Sequence, residues 1–562
     1  MNNSIAQTPP PENEPVRSYA PGSEERASLK ARLHEMKQEA PIEIPALIGG
    51  EEVRTGKTTE LRAPHEHRRV LAQVHHADGE ATNRAIEAAL DARRDWMRMP
   101  WTERAAVFLR AADLLAGPWR DTINAASMLG QSKNAHQAEI DAACEFIDFI
   151  RFNVHYMRQI YADQPRSSDG VWNRMQYRPL EGFVLAITPF NFTSIQGNLP
   201  TAPALMGNVA LWKPSLTSTY SAYYTYRLFE EAGLPPGVLN LLPGEGAPVG
   251  EAALASEHLA GLHFTGSTAT FEHLWQEIGQ NISHYNTYPR IVGETGGKDF
   301  IVAHASADPD EVATAIVRGS FEFQGQKCSA ASRMYLPQSL WPQIEASLTE
   351  QLGELEMGPP EDFTNFINAV IDADAFEKIT GYIDHAKEDD DAEIICGGDY
   401  SDDTGYFIEP TVVRVDDPQY RAMQEEIFGP VAPVYVYDAA AYDDLLDTVD
   451  ATSPYGLTGA IFGYDRAAID EAMERLSEAA GNFYVNDKPT GAVVGQQPFG
   501  GARKSGTNDK AGSRMNLMRW ASPRAIKENL DPPSHYGYAF HQPDGEAAPE
   551  EAAHTGGDGS VS

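Results

Sequence analysis

From about residue 182 onward, short apolar runs alternate with helical patterns, and this alternation restricts the possible folds more than any other feature. Three of the runs are Gly182–Thr188, Asn208–Lys213 and Gly237–Leu242, and a proline directly follows each of them. A helical pattern, Tyr220–Ala232, lies between the second and third runs. Short runs that are apolar throughout are typical of strands buried on both faces, and intervening helices favour parallel pairing. The sequence therefore predicts an α/β fold with a doubly wound parallel sheet.

Polar phrases follow the ends of several of these predicted strands. They are Pro189-Phe190-Asn191, Lys213-Pro214-Ser215 and Phe264-Thr265-Gly266-Ser267. Ligands of doubly wound sheets bind at the carboxyl ends of the strands. These phrases therefore mark the predicted binding edge.

Each phrase also has a purely structural interpretation. The Asn191 amide could donate to an oxyanion, but asparagine in a turn is usually a turn former. Lys213 could bind a ribose hydroxyl or a phosphate, although most lysines at strand ends are simply solvated. The amides after Gly266 could hold a pyrophosphate at a helix N-terminus, whereas the Ser and Thr residues there equally suit a helix cap. Both interpretations stay open at this point.

Cys328 and Glu294 are each framed by small residues, in Gly325-Gln326-Lys327-Cys328-Ser329 and Gly293-Glu294-Thr295-Gly296-Gly297. A thiolate can attack a carbonyl carbon, and a carboxylate can later take a proton from water. Neighbouring glycines would let the backbone approach a substrate closely. The alternative is a buried, inert thiol and an ordinary loop carboxylate. The two residues alone leave both interpretations open.

The cysteine content predicts a reducing compartment. The three cysteines, Cys144, Cys328 and Cys396, are far apart and form no Cys-x-x-Cys or Cys/His cluster. A disulfide framework is therefore not expected, and no metal site is expected. The first residues carry no apolar signal region, and no apolar run reaches the ~18 residues of a membrane span. We expect a cytoplasmic protein without a membrane association.

The chain is strongly acidic. It has 81 Asp and Glu residues against 44 Lys and Arg, for a formal net charge of −37. This balance argues against nucleic acid and against anionic membrane surfaces as partners. Such a charge would repel itself in dilute buffer, whereas 1 M salt screens charges beyond about 3 Å. We interpret the composition as adaptation to high salt.

Both termini differ in composition from the body of the chain. Residues 1–26 are rich in Pro, Glu and Ser, and we expect them to be partly disordered. The last residues, 541–562, are predicted to form a disordered acidic tail.

Six phrases together resemble those of the NAD(P)-dependent aldehyde dehydrogenase superfamily. They are PFNF (189–192), KPS (213–215), FTGS (264–267), GETGGK (293–298), GQKCSA (325–330) and EEIFGP (425–430). Their order and spacing agree over some 300 residues. The chain departs from the usual pattern at Thr295, where the family commonly has Leu. The resemblance implies Cys328 as nucleophile, Glu294 as general base and Asn191 as oxyanion donor.

Longer phrases resemble the 1-pyrroline-5-carboxylate dehydrogenase group of that superfamily, which oxidises L-glutamate γ-semialdehyde. They are AEIDAACEFIDFIRFN (138–153), APALMGNVALWKPS (202–215), FEFQGQKCSA (321–330) and TGAVVGQQPFGGARKSGTNDK (490–510). By this resemblance Ser329, Gly491 and Ala492 would bind the α-carboxylate. Phe192 and Phe499 would enclose the aliphatic part. Another semialdehyde, such as succinate semialdehyde, is the alternative substrate.

The resemblance also implies NAD as cofactor. The residues expected to contact it are Thr188, Lys213, Gly266, Ser267, Thr268, Ala269, Thr270, Glu426 and Phe428.

The implied architecture is a Rossmann-type NAD domain, an α/β catalytic domain and a small β flap. The expected limits are 1–40 for an N-terminal extension, 41–153 with 182–320 for the NAD domain, 321–518 for the catalytic domain and 154–181 with 519–540 for the flap. The flap implies a homo-oligomer, either a dimer or an assembly built from dimers.

Overall fold

The structure is a computed structural model that describes residues 6–545. Its α-helices are α1 (Glu24–Glu39), α2 (Gly79–Trp96), α3 (Trp101–Ala116), α4 (Arg120–Gln131), α5 (Ala135–Ala138), α6 (Phe146–Ala162), α7 (Thr193–Leu205), α8 (Thr219–Glu231), α9 (Gly246–Leu254), α10 (Thr268–Gln280), α11 (Pro309–Phe321), α12 (Trp341–Gly353), α13 (Ala373–Glu388), α14 (Arg421–Gln424), α15 (Tyr442–Ala451), α16 (Arg466–Arg475) and α17 (Arg514–Arg519). A π-helical segment, Glu139–Glu145, joins α5 to α6.

The strands are β1 (Ile42–Ile44), β2 (Ala46–Ile48), β3 (Glu51–Val53), β4 (Thr58–Ala63), β5 (Glu66–His75), β6 (Val171–Pro179), β7 (Phe183–Thr188), β8 (Ala210–Pro214), β9 (Leu239–Leu241), β10 (Leu259–Thr265), β11 (Arg290–Glu294), β12 (Asp299–Ala303), β13 (Ala331–Pro337), β14 (Ala392–Cys396), β15 (Tyr400–Ser401), β16 (Phe407–Ile408), β17 (Thr411–Val415), β18 (Val431–Tyr437), β19 (Tyr455–Gly456), β20 (Thr458–Phe462), β21 (Asn482–Val485), β22 (Ala502–Arg503) and β23 (Ala521–Asn529). Two seven-stranded sheets dominate, and a three-stranded sheet β1-β5-β4 and small pairs accompany them.

The first large sheet has the order β11-β10-β7-β8-β9-β2-β3. Its first five strands pair in parallel, and β2 and β3 add an antiparallel edge. The chain passes from β7 to β8 and β9 on one side and then returns to β10 on the other. The crevice where the order reverses is the usual ligand site of such sheets. The three predicted strands correspond to β7, β8 and β9, and the predicted fold class is confirmed.

The second large sheet has the order β14-β17-β18-β13-β12-β20-β21, parallel except for β14. Alternate residues of β12 pack into different cores, Phe300 and Val302 on one face and Ile301 on the other. The change of sheet falls between Glu294 and Asp299, well before the predicted domain limit at 320/321. The hydrophobic pattern of the sequence could not show this change of sheet, because β12 is as apolar as the strands of the first sheet.

A two-stranded ribbon, β6 with β23, occupies the region of the predicted flap. The strands pair antiparallel from Val171 with Asn529 to Pro179 with Ala521. The first residues of the predicted flap, from 154, belong instead to α6. Helix α6 continues to Ala162 because Val154, Met157 and Ile160 form a buried helical stripe.

The N-terminal segment is packed against the body of the protein, and the expectation of disorder over residues 1–26 is wrong for its described part. Tyr19 is buried, and its hydroxyl donates to Glu139 at 2.8 Å. Ser23 then caps α1. The composition did not predict this because the contacts are made with residues more than 100 positions away. The predicted acidic tail lies mostly outside the described residues, which end at 545.

Within residues 6–545 no helix is long and apolar enough to cross a membrane. In the same range, no three His, Cys, Asp or Glu side chains are grouped so that they could hold a metal ion.

Candidate active site

Glu294 lies at the junction between the two large sheets. It ends β11, pairs with Thr265 of β10, and its carbonyl accepts the Gly266 amide N–H at 3.2 Å. The chain then crosses to β12 through Gly296 and Gly297. A Cβ atom at Gly297 would lie 2.1 Å from the Cys328 carbonyl oxygen, so only glycine allows this approach. The fold therefore brings together two residues that the sequence singled out separately.

The loop before Cys328 has an unusual backbone. Phe323, Gln324 and Gly325 are all left-handed, with φ of 52°, 55° and 66°. The Gln324 side chain holds this conformation, donating to the carbonyls of Ser132 at 3.2 Å and Ala369 at 2.8 Å. Strained conformations persist where the surroundings over-determine them, and they cluster at functional sites. Cys328 is thus presented by a rigid loop at the amino end of β13.

The environment of Cys328 opposes ionisation of its half-buried thiol. Burial and the nearby carboxylates of Asp299, Glu294 and Glu426 raise the pKa of the thiol well above its usual range. The ammonium of the adjacent Lys327 pairs with Glu322 at 2.9 Å. Burial and the nearby carboxylates therefore disfavour the thiolate at this position.

Glu294 is also shifted towards its neutral form. Burial raises the pKa of its carboxyl well above the usual range, while the Gly501 amide N–H and the Lys510 ammonium oppose the shift. The Gly501 N–H donates to Oε2 at 3.2 Å. The next residue, Thr295, donates through its hydroxyl to the Lys504 carbonyl. A carboxyl with a raised pKa suits general acid–base work near neutral pH.

Asn191 is 3% exposed and lies between β7 and α7. Its Nδ2 donates to the carbonyl of Gln326 at 3.1 Å, which places the amide beside the Cys328 loop. An amide nitrogen carries two N–H groups. One of them donates to the loop, and the second has no acceptor among the described residues.

Thr188 and Lys213 lie at the carboxyl ends of β7 and β8. The Thr188 hydroxyl accepts from Trp212 Nε1 at 3.1 Å. The Lys213 ammonium is buried, and it donates to the Pro214 carbonyl at 2.6 Å. Burial lowers the pKa of Lys213 to about 8. An ammonium has three donors, so further hydrogen bonds to a bound polar ligand fit this position.

The Gly266–Thr270 segment opens helix α10 at the same edge. The Ser267 hydroxyl is the N-cap and accepts from the Thr270 N–H at 3.3 Å, so the cap interpretation of the phrase is correct. The cap does not exclude ligand binding by Thr268 and Ala269, because a helix N-terminus leaves other amides free for an anion.

Glu426 and Phe428 face the same region from the second sheet. The Glu426 carboxylate accepts the Gly297 N–H at 2.8 Å, and burial raises the pKa of its carboxyl. Phe428 has a φ of 61°, and its ring lies 5.8 Å from that of Phe190 in a T-shaped arrangement.

The predicted substrate residues come from three segments: Phe192 before α7, Ser329 next to Cys328, and Gly491, Ala492 and Phe499 near the end of the chain. We call residues 490–499 the anchor loop. Its first residue, Thr490, shares a hydroxyl hydrogen bond of 2.9 Å with Ser329. Within the described residues the amides of Gly491 and Ala492 have no hydrogen-bond partner. Adjacent unpaired amides beside a hydroxyl are suited to an anion.

The two predicted aromatic residues are both half-buried. Phe499 exchanges backbone hydrogen bonds with Ala511, at 3.1 and 2.7 Å. The ring of Phe192 is covered by the Lys133 ammonium at 4.5 Å from its centroid. The structure places both residues next to site loops, but gives no contact between them.

Sequence reasoning missed several buried charges near the site. The Lys133 ammonium pairs with the Asp141 carboxylate. The Ser194 hydroxyl lies within hydrogen-bond distance of two carboxyl groups, those of Asp141 and, at 3.0 Å, Glu145. Asp299 is 1% exposed and accepts the Thr458 N–H through one oxygen. The position of Asp299 directly after the Glu294 phrase was a signal that could have identified it. Nothing local marks Lys133, because its partners come from other elements.

A groove of about 850 Å³ lies beside α10, and its lining includes Thr268, one of the residues expected to contact the cofactor. Phe271, Trp275 and Arg519 are among its lining residues, but Cys328 is not. We do not assign the reaction to this groove.

Comparisons with known proteins agree with this geometry. The family model described as "Aldehyde dehydrogenase family" matches residues 52–526. A Dictyostelium discoideum protein named "Delta-1-pyrroline-5-carboxylate dehydrogenase, mitochondrial" is 50% identical over 538 residues, which cover 95% of this chain and 96% of that protein.

Two solved structures are similar over nearly their whole lengths. The "Delta-pyrroline-5-carboxylate dehydrogenase from Mycobacterium tuberculosis bound with NAD" is 54% identical, with a TM-score of 0.93 and coverage of 96% of this chain and 100% of that one. The "1-Pyrroline-5-Carboxylate Dehydrogenase from Thermus with bound NAD" is 32% identical, with a TM-score of 0.88 and coverage of 93% and 100%.

Proposed function

The chain belongs to the aldehyde dehydrogenase family, and from this premise we propose that it oxidises L-glutamate γ-semialdehyde to L-glutamate with NAD. The semialdehyde is the open form of 1-pyrroline-5-carboxylate, so the reaction is the second step of proline catabolism. The observation that carries the proposal is the junction of the two sheets, where the Cys328 thiol, the Glu294 carboxyl and the Asn191 amide share one buried region. Relatives at about half identity over almost the whole chain carry the matching name.

Cys328 is the proposed nucleophile. The thiol proton passes to water, Sγ bonds to the aldehyde carbon, and the carbonyl electron pair moves to oxygen. The free N–H of Asn191 and the backbone N–H of Cys328 donate to this oxyanion. The oxyanion of this thiohemiacetal re-forms its C=O bond as the C–H bond breaks and hydride leaves. A thioester on Cys328 remains.

Glu294 is the proposed base of the second step. It takes a proton from a water molecule as the water oxygen attacks the thioester carbon. The C–S bond breaks, and Cys328 and glutamate are released. Its raised pKa places this base closer to neutral pH than an ordinary glutamate.

NAD accepts the hydride when it is bound. The residues that would hold it are those at the carboxyl edge of the first sheet: Thr188, Lys213 and the Gly266–Thr270 segment. Glu426 and Phe428 would hold the nicotinamide end. The buried Lys213 ammonium, with one protein acceptor among the described residues, suits ribose hydroxyls.

The anchor loop is proposed to bind the amino-acid end of the substrate. The amides of Gly491 and Ala492 and the hydroxyl of Ser329 would hold the α-carboxylate, and Phe192 and Phe499 would cover the aliphatic chain. Local donors for the α-carboxylate fit this chain, because its net charge of −37 opposes the approach of a carboxylate group.

We further propose a homo-oligomer in which the β6–β23 ribbon contacts another subunit. The ribbon leaves Trp172 53% exposed, and Leu530 beside it is 66% exposed. Adaptation to high salt and a cytoplasmic location stay predictions from composition; the Dictyostelium relative carries "mitochondrial" in its name.

The decisive test is NADH formation from 1-pyrroline-5-carboxylate beside succinate semialdehyde, in low and multimolar salt. A strong preference for 1-pyrroline-5-carboxylate supports the proposed substrate. Equal rates, or a preference for succinate semialdehyde, would retain the family and reject the substrate. Purified Cys328→Ala protein is the control for uncatalysed reduction of NAD.

A further inference from the structure

The side-chain amide of Asn13 connects the N-terminal segment to the anchor loop. Its Nδ2 donates to the Val494 carbonyl at 2.8 Å and to the Asp148 carboxylate of α6 at 2.8 Å. Its Oδ1 accepts from Gln496 Nε2 at 3.0 Å. One residue near the start of the chain therefore contacts the middle of the loop and the helix beneath it.

The two ends of the anchor loop are attached to other parts of the site. Thr490 contacts Ser329, and the Pro498 carbonyl accepts from Asn482 at 3.1 Å. The middle of the loop packs on α6, where a Cβ atom at Gly495 would lie 2.1 Å from the ring of Phe152. Asn13 hydrogen-bonds this middle part and α6 at once, so the N-terminal segment, the loop and the helix meet at this residue.

The N-terminal strap, residues 13–19, is itself held firmly. The Glu14 N–H donates to Asp148 at 2.7 Å, and the Glu14 carboxylate pairs with Arg120 and Arg151. Further along, the fully buried Glu139 carboxylate accepts the Arg17 N–H at 2.8 Å and the Tyr19 hydroxyl at 2.8 Å. A strap fixed at several points can restrain a loop that it contacts.

We propose that the strap positions the anchor loop through Asn13 and thereby sets the affinity for the amino-acid end of the substrate. This inference rests on the proposed function, because it assigns the α-carboxylate to the amides of Gly491 and Ala492. Val494 follows these amides closely and is 6% exposed, so its carbonyl is costly to leave unpaired. Without Asn13 the loop adopts more conformations, and substrate binding must then order it. Its side-chain hydrogen bonds within the described residues go to the anchor loop and to Asp148 of α6, and none goes to Cys328 or Glu294, so we expect the chemistry at Cys328 to be unaffected.

The test compares steady-state kinetics of the full chain with Asn13→Ala, Gln496→Ala and the double variant. Asn13→Ala removes two hydrogen bonds to the loop and Gln496→Ala removes one of them. We expect each to raise the KM for 1-pyrroline-5-carboxylate by about three- to tenfold, Asn13→Ala the more, with kcat unchanged. The KM for propionaldehyde, which has no α-carboxylate, stays the same. The double variant should show less than the product of the two single effects, since both changes break the same contact.

Val16→Ala is the matched control within the strap, because Val16 is 53% exposed; it should leave both KM values unchanged. An unchanged KM for 1-pyrroline-5-carboxylate in Asn13→Ala and Gln496→Ala would overturn the inference, as would an equal rise for both aldehydes. Gln496 is exposed, so Gln496→Ala should fold normally. It therefore tests the contact with Asn13 even if Asn13→Ala folds poorly. A parent chain inactive on 1-pyrroline-5-carboxylate would reject the proposed function itself, whereas an active parent with unaffected variants rejects only the role of the strap.

Discussion

At the residue scale, the site combines a thiol and a carboxyl that both favour their neutral forms. Burial and neighbouring carboxylates raise the pKa of Cys328, and burial raises the pKa of Glu294. The reaction needs both groups ionised in turn. Its rate should therefore rise with pH, because deprotonation of each group requires a higher pH than it would in water.

Glu294→Gln should separate the two chemical steps. The amide keeps the size of the side chain but cannot accept a proton from water. We expect a burst of NADH from the first turnover and a steady-state rate lower by about 100-fold or more. Rapid-mixing kinetics measure both phases. Cys328→Ala is the control and should show neither phase while still binding NAD; an equal loss of burst and steady state in Glu294→Gln would contradict the role as base.

Asp299→Asn should make the thiol more reactive. Burial raises the pKa of the Asp299 carboxyl well above its usual range, and once this carboxyl is ionised it destabilises the thiolate. Its removal should therefore lower the pKa of Cys328 and move the rise in reactivity to lower pH. Asparagine can still accept the Thr458 N–H. We expect iodoacetamide to alkylate Cys328 several-fold faster at alkaline pH, where the Asp299 carboxyl of the parent chain is charged. Asp402→Asn, at an exposed position, is the control, and an unshifted pH profile in Asp299→Asn would show that the carboxylate does not act on the thiol.

At the element scale, loops decide how the site is assembled. The left-handed residues before Cys328 and the glycine pair after Glu294 bring two sheet connections together. Helix α6 supports the anchor loop from one side. The backbone of these loops is already close to its steric limits. Small changes in the loops should therefore alter substrate binding before they alter the fold.

Gly491→Ala tests the anchor loop directly. Gly491 has a φ of 100°, and a Cβ atom there would lie 2.9 Å from the Lys488 ammonium. Strain of about 1–3 kcal/mol should displace the amides that are proposed to hold the α-carboxylate. We expect the KM for 1-pyrroline-5-carboxylate to rise about tenfold or more, with little change for propionaldehyde.

Gly170→Ala is the matched control for that substitution. Gly170 also has a positive φ, 71°, but a Cβ atom there meets nothing within 4 Å, and the residue lies at the tip of the ribbon. It should lower stability slightly without changing either KM. Equal effects of Gly491→Ala on both aldehydes would argue against the loop as the carboxylate site.

At the scale of the whole molecule, the net charge of −37 dominates the response to solvent. Repulsion among surface carboxylates destabilises the compact state, and salt screens it over about 3 Å at 1 M against about 30 Å at 0.01 M. The unfolding midpoint should rise by at least a few degrees over this range of sodium chloride. Differential scanning calorimetry measures it.

A triple variant, Asp390→Asn, Asp402→Asn and Asp403→Asn, provides the control for this salt effect. All three positions are exposed, so the change removes charge without removing packing. The salt dependence of the midpoint should become smaller. A midpoint that falls with salt in the parent chain would reject adaptation to high salt.

The fold class followed from local sequence, since fully apolar runs ended by prolines and separated by helices leave few alternatives to a doubly wound sheet. The family followed from six phrases in a fixed order. These features are properties of neighbouring residues, and a sequence displays them directly.

Only the tertiary structure decided which side chains meet. The pairing of Lys327 with Glu322 and the approach of Asp299 to Cys328 depend on side-chain directions set by packing. The change of sheet at β12 and the docking of Asn13 on the anchor loop depend on contacts between segments that are far apart in the chain. An apolar pattern specifies that a residue is buried, but not which residue it packs against. The sequence therefore identified the reacting groups, whereas their surroundings were determined by the three-dimensional packing.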